Sequence, residues 1–585
     1  MPNLVGIIEP GAASLKPDLE RMMDVVDIPS FPYVRREAFA PGVAVGNVLT
    51  HIEDNLSQPV SGPDAWLMLD GEIMGAAELR RDLEAEGVDA TQVDDAGLAM
   101  AAYTVWGESF LERLNGQWNI VIHHGDTTII ASDRIGSRIL YYAHDAGRFV
   151  FGSEMKAVVA GRKVASRAGG YGLLELLMGP YHHGDRTWVD GVQVLDPGTI
   201  LRLRHGRVDA RRYWRFSFNE GGPEMSEDDY AEGFAAHLRG AVRRCTRRDP
   251  AHKLAITLSG GLDSRAIALS IDPRQRPIPA LTYGDEDSAD VRFARQLAGV
   301  IGLDFHYVEA EKERLFEASR GVLDDTLGVF EGQRGFYGSQ IDRIVYRDEV
   351  MGDPMGAASM IWHPLYSQHM NLMLQGACGD ALTGSHVTWG HMLARGREEI
   401  ISDLMRAQYY APREILELVL NRRFLDAHWD QREARFRQLF DAIDADQPAA
   451  IASVWDMENR QRRGAFSTFT MERYFCVVRA PFLDYELVDH LRSIPASWRF
   501  QQRVYKRMIV QCYPEAAHVP WAYTRRPLTT SPGREFAWEV GSFLARKARG
   551  LLSPQRRDAQ YAFRDTGALL REDREISGAV ERWLI

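Results

Sequence analysis

Cysteine is scarce in this chain, with four in 585 residues: Cys245, Cys378, Cys476 and Cys512. Their scatter excludes a disulfide framework and a cysteine-built zinc site, and it fits a reducing compartment. A basic excess is also missing. The formal net charge of −12 excludes a broad nucleic-acid surface, and the local run of Arg243, Arg244, Arg247 and Arg248 reads as a solvated helix face between domains. No stretch approaches the ~20 apolar residues of a membrane helix. The first ten residues have no basic n-region and only a brief apolar run, so no signal peptide is expected. A soluble, cytoplasmic chain with no nucleic-acid or membrane partner is the expectation. Internal repeats and low-complexity segments are absent as well.

What is present is a globular composition, 45% hydrophobic and 26% charged, over a length that suggests roughly three or four domains. The first two hundred residues hold short β-type runs at 66–69, 118–123, 127–132, 139–143, 148–151 and 199–203. Turn signals such as His124-Gly125-Asp126 and Asp196-Pro197-Gly198 separate them. Helical patterns are fewer, at 76–86 and 97–106. This predicts stacked antiparallel sheets flanked by helices. From about residue 225 the pattern turns helical around occasional buried strands, such as 278–283 and 372–375. A boundary in the Gly- and Glu-containing stretch 219–224 divides the chain into 1–218 and 225–585.

Residues 254–264 carry the chemistry most openly. The apolar run 254–258 reads as a buried parallel strand. Ser259, Gly260 and Gly261 then let the backbone turn so that N–H groups can close on an anion, and residues 265–272 continue as a helix. Asp263 beside such a cradle makes sense chiefly with a metal ion between carboxylate and phosphate. Ser-Gly-Gly-Leu-Asp-Ser resembles the pyrophosphate loop of the ATP pyrophosphatases, which cleave ATP between its α and β phosphates.

The resemblance widens along the chain. Asp70-Gly71-Glu72-Ile73 with Glu78-Leu79-Arg80, the segment 133–142 (DRIGSRILYY), and Phe151-Gly152-Ser153-Glu154-Met155-Lys156-Ala157 are similar to class II glutamine amidotransferase motifs. Asp196-Pro197-Gly198 and Arg212-Tyr213-Trp214 match the close of that domain. Downstream, the loop 259–264, Gly379-Asp380 and the segment 479–484 (RAPFLD) resemble the synthetase domain of asparagine synthetase B. The resemblance implies an N-terminal antiparallel β-sandwich of the Ntn type, then a mostly helical domain around a parallel sheet of the ATP-pyrophosphatase type.

By that resemblance the first half has lost its chemistry. The family nucleophile is a cysteine at position 2, where this chain has Pro2. The oxyanion-holding asparagine is replaced by Asp70, whose charge is expected to repel a developing anion. The region matching the family's glutamine-carboxylate clamp, residues 46–51, contains no arginine. Gly71 and Glu72 then read as structural turn residues.

The second half keeps the nucleotide set. The resemblance implies Asp263 and Asp380 as Mg²⁺ ligands, and Leu258, Ser259, Gly260, Gly261, Ser264, Tyr283 and Gly376 as contacts to ATP. Two departures stand out. Ala377 occupies the place of a family Glu or Tyr, which in β-lactam synthetase helps to deprotonate the amine, and His386 is the nearest titratable substitute. The late lysine that stabilises the acyl-adenylate transition state has no direct match, leaving Arg525, Arg526 or Lys506 to supply the charge.

The expected enzyme is therefore an AMP-forming ligase that uses ATP and Mg²⁺ to adenylate a carboxylate before amine attack. Its substrate is expected to be a small molecule or peptide carrying both carboxylate and amine. Ala377 tilts the reading from a β-lactam synthetase towards a lasso-peptide macrolactam cyclase, with a precursor peptide or a protease as partner. Amidation with free ammonia or a separate glutaminase, and a non-catalytic nucleotide-binding scaffold, remain as alternatives.

Overall fold

The computed structural model describes residues 3–309 and 370–541, apart from 27–32, 51–56, 219–224, 247–251, 285, 410, 419, 474–475, 532 and 535–540. The expected boundary stretch 219–224 lies outside the described residues. In the first half the strands are β1 (Asn3–Ile8), β2 (Tyr33–Ala40), β3 (Val43–Thr50), β4 (Val60–Gly62), β5 (Ala65–Ile73) and β6 (Gly116–His124). They continue with β7 (Thr127–Ser132), β8 (Tyr141–Asp145), β9 (Arg148–Gly152), β10 (Gln193–Val194), β11 (Thr199–Arg204) and β12 (Arg207–Arg212). Two antiparallel six-stranded sheets result, ordered β10-β8-β9-β1-β3-β2 and β12-β11-β7-β6-β5-β4.

The two-residue period of a strand explains why these runs are apolar throughout. Along β1, Leu4 and Ile8 enter the core between the sheets, while Val5 and Ile7 face the helices Lys16–Val26 and Met155–Gly161. Along β6, Val121 enters the inter-sheet core. Trp118, Ile120 and Ile122 pack with residues of the helices Ala76–Ala85 and Asp95–Trp106. Each sheet is thus buried on both faces, in four layers. The run expected at 139–143 begins as a strand only at Tyr141, because the Leu140 carbonyl accepts instead from Leu195 N–H at 2.8 Å.

The second half is built on a parallel sheet: β13 (Leu254–Thr257), β14 (Pro279–Gly284), β15 (Asp304–Glu309), β16 (Leu372–Leu374) and β17 (Val477–Arg479). Its order is β15-β14-β13-β16-β17. The chain moves outward from β13 through β14 to β15 and resumes on the other side at β16. The switch point between β13 and β16 opens a crevice at the carboxyl ends of the strands, where ligands bind in such sheets. No helix among the described residues is long and apolar enough to cross a membrane.

Buried ion pairs join the halves. Gly71 and Glu72 lie inside β5, not in a turn, and the Glu72 carboxylate receives Arg479 Nε at 3.0 Å and Nη2 at 2.5 Å. Arg244, expected on a solvated face, is buried at the end of the helix Glu227–Cys245. It grips Asp484 with two contacts of 2.6 Å, and Asp484 also receives Asn115 Nδ2 of the first half at 3.0 Å. Arg244 thus offsets its burial through a bidentate partner, while Arg247 and Arg248 lie outside the described residues.

Because Arg479 is enclosed, Glu72→Ala leaves an uncompensated buried charge. Its expected cost is about 3–5 kcal/mol of unfolding free energy, measured by denaturant titration. The apolar double variant Glu72→Leu/Arg479→Met should recover much of that loss.

Candidate active site

The crevice between β13 and β16 gathers two loops. The first leaves β13 and is held by its own serines: Ser259 N–H donates to Ser264 Oγ at 3.0 Å, and Gly261 N–H to Ser259 Oγ at 3.2 Å. It runs into the helix Asp263–Ser270, so Asp263 stands at the mouth of the cradle. The second loop leaves β16 through Gly376 and Ala377, turns at Cys378 (φ +68°) and enters the short helix Gly379–Leu382. The sequence requires small residues here because the loops almost touch. A Cβ on Gly376 would lie 2.7 Å from Asp263 Cβ, and one on Gly379 would lie 2.6 Å from Asp263 Oδ1.

That approach brings the two carboxylates together. Asp380 N–H donates to Asp263 Oδ2 at 3.1 Å, while the Asp380 oxygens receive Ala381 N–H at 2.7 Å and the Ser385 hydroxyl at 3.0 Å. Among the described residues no well-aligned hydrogen bond reaches buried Asp263 Oδ1, although the Tyr505 hydroxyl stands close enough to the carboxylate to favour its charged form. Burial, and then the charge of Asp380, push the Asp263 carboxyl well above the usual carboxylate range. A dry carboxylate beside a second carboxylate is a donor set that fits a hard divalent cation shared with phosphate oxygens. Asp263 and Asp380 would hold Mg²⁺, which supplies neutralisation of phosphate charge there.

Other expected residues fall around this crevice in different ways. Leu258 N–H is spent on Leu281 O at 2.8 Å, and its carbonyl accepts the Thr282 hydroxyl at 2.7 Å. The Leu258 N–H is thus engaged within the sheet, and its carbonyl keeps acceptor capacity for a contact to ATP. Tyr283 is the penultimate residue of β14, its phenol pushed up to about 12 by burial. Lys506 is half-buried on the helix Arg503–Cys512, directly after Tyr505, whose ring lies beside Asp263. Arg525 is exposed with φ +57°, and Arg526 Nη1 donates to Arg534 O at 3.4 Å.

His386 departs from its expected role as base. Its Nε2 is engaged with Ser453 Oγ at 3.0 Å, its Nδ1 faces Asp456 at 3.8 Å, and burial pushes it down to about 4. A ring so placed is a weak base committed to its neighbours. The adjacent Ser385 is the residue that reaches Asp380.

Sequence reasoning passed over Arg265. It is fully buried behind the first loop and donates to Val519 O at 2.8 Å and Pro520 O at 2.7 Å, while Ala522 N–H donates to Gly260 O at 3.0 Å. Arg265 thereby fixes the late segment, including Arg525 and Arg526, against the phosphate cradle. Its place one residue after Asp-Ser was the available signal.

In the first half, Asp70 is buried in an ion pair with Arg138, and its other oxygen receives Ser153 Oγ at 3.2 Å and Asn119 Nδ2 at 3.4 Å. The expected repulsion by a bare carboxylate is corrected: the Arg138 guanidinium neutralises it. Gly71 (φ +124°) permits the approach, since a Cβ there would lie 2.8 Å from Arg138 Nε.

Comparison with known proteins follows this division. The family model for a glutamine amidotransferase domain matches residues 36–214, and that for asparagine synthase matches residues 233–576. The chain is similar to asparagine synthetase [glutamine-hydrolyzing] 3 of Bacillus subtilis, 24% identical over 74% of this chain and 70% of the relative. It is similar to the amidase chyE of Penicillium rubens, 26% identical over 46% of this chain and 41% of the relative. It also resembles the carboxyethyl-arginine β-lactam synthase of Streptomyces clavuligerus, 26% identical over 41% of this chain and 44% of that protein.

Replacing Asp263 separates its two effects. Asp263→Asn should raise the unfolding temperature of the metal-free protein, because it removes a poorly compensated buried carboxyl. In calorimetry Mg²⁺ is expected to raise the unfolding temperature of the parent, and the same variant should lose that rise.

Proposed function

The chain belongs to the asparagine synthase family of ATP-dependent amide-forming ligases, and on that premise we propose that it joins a carboxylate to an amine carried by its own substrate, without hydrolysing glutamine. The carrying observation is the contrast between two centres. Asp263 and Asp380 face each other, while the corresponding centre of the first half is occupied by the Asp70–Arg138 ion pair.

A substrate carboxylate oxygen bonds to the α-phosphorus of ATP as the bond to the bridging oxygen breaks, and pyrophosphate leaves with that electron pair. The backbone of 259–261 and the N-terminal end of the helix Asp263–Ser270 orient the phosphates. The substrate amine then bonds to the acyl carbon, AMP departs, and the nitrogen loses one proton. The substrate is a peptide or small metabolite whose amine and carboxylate close to a lactam. Ala377 leaves room where a bulkier side chain would stand, which favours a macrolactam-forming peptide cyclase. A precursor peptide, with its processing protease, is the partner class that this reading brings, and the cytoplasm is its setting. The lactam named in the Streptomyces relative supports the same class of bond.

The test is pyrophosphate release with ATP, Mg²⁺ and a panel of amine-bearing carboxylates, linear peptides included. The expected product is lighter than its substrate by one water, and glutamine adds nothing to the rate. Turnover that requires added ammonia would overturn the intramolecular amine. ATP binding without pyrophosphate release from any substrate would leave a nucleotide-binding scaffold instead.

A further inference from the structure

Residues Asp456–Ala465 form a π-helical segment, a widened coil that recurs at functional sites. The segment packs against the helix Gly379–Leu382 that carries Asp380, and the Cys378 thiol donates to Gln461 Oε1 at 3.6 Å. Its arginines divide by task. Arg462 and Arg463 are buried and donate to main-chain carbonyls of the first half: Arg462 to Leu195, and Arg463 to Gly184 and Arg186 at 2.8 Å.

Arg460 is different. Its Nε donates to Asp456 Oδ1 at 2.5 Å and its Nη2 to Oδ2 at 3.2 Å, so the guanidinium plane is fixed side-on. Asp456 is buried, yet 38% of the Arg460 side chain remains exposed. Among the described residues no hydrogen bond is formed by Nη1. Asp380 contributes to the charge stabilisation of Arg460, although both Asp380 oxygens take neutral donors, Ala381 N–H and Ser385 Oγ. The guanidinium is therefore carried on the segment packed against the Asp380 helix, with no hydrogen bond to that carboxylate among the described residues. Fixed planar donors of this kind suit phosphate oxygens.

Charge accounting gives the donor a partner. Two carboxylates and Mg²⁺ sum to zero, so most of the negative charge of a bound ATP, and then of its pyrophosphate, needs further cations. We propose that Arg460 is a phosphate-binding residue, its Nη1 side contacting the pyrophosphate portion of ATP on the Asp380 side of the crevice. The inference rests on the nucleotide reading above and adds a cation that the Ser-Gly-Gly-Leu-Asp-Ser motif does not contain.

Calorimetric titration of the intact chain with Mg-pyrophosphate, Mg-ATP and AMP tests it. The parent should bind all three. Arg460→Gln should weaken pyrophosphate roughly 10- to 100-fold, with a smaller loss for Arg460→Lys, which keeps a charge beside Asp456, and AMP affinity should hold in both. Unchanged pyrophosphate affinity in Arg460→Gln would overturn the inference. An AMP affinity that falls in step with pyrophosphate in both variants would also overturn it, marking a structural role. Failure of the parent to bind ATP or pyrophosphate would overturn the nucleotide reading itself.

Discussion

Two carboxylates from loops 117 residues apart share one small space, with Asp380 N–H donating to Asp263. Much of the second half serves that contact. Like charges in a buried setting repel, and Asp263 answers by favouring its proton. The arrangement persists because the strands beneath it are paired and enclosed: β13 and β16 are parallel neighbours whose central residues are buried. Gly376 and Gly379 remove the side chains that would hold the loops apart. Such a site is costly while empty, and a cation bound there would stabilise it.

The first half takes part in this constraint through its packing. Glu72 encloses Arg479 at the end of β17, and the Arg479 carbonyl accepts Gln375 N–H at 3.0 Å, immediately before Gly376. A charge on the antiparallel sheet of one half thereby bears on the backbone that launches the second carboxylate loop. Arg462 and Arg463 add a second attachment through the π-helical segment. Removing the amidotransferase-like domain would leave Arg479, Arg462 and Arg463 buried beside missing partners.

The sequence made the architecture legible because strand period and turn residues are local signals. The runs at 127–132 and 148–151 became strands nearly as read, and the strand–loop–helix at 254–270 followed from an apolar run meeting two glycines. What stayed hidden was pairing at long range. Nothing local distinguishes Arg244 at the end of a helix from a solvated arginine, since Asp484 lies 240 residues away. Glu72 looked like a turn residue because glycine precedes it, yet that glycine serves the approach of Arg138 within a strand. His386 lay close to Asp380 in sequence, but its ring is spent on Ser453, a partner that spacing cannot reveal.

Asp70 and Arg138 show why the division of labour is stable once reached. An asparagine at position 70 would offer a neutral donor, but it would strand the Arg138 guanidinium in a buried site. A neutral residue at 138 would strand Asp70 in the same way. Each residue is tolerable only beside the other, so their effects cannot add independently. The pair also takes up Ser153 and Asn119, whose donors point at Asp70. Replacing the pair would thus require several coordinated changes in a packed interior. By contrast, the crevice between β13 and β16 keeps Asp263 and Asp380 facing a common space, a donor set that would suit a cation.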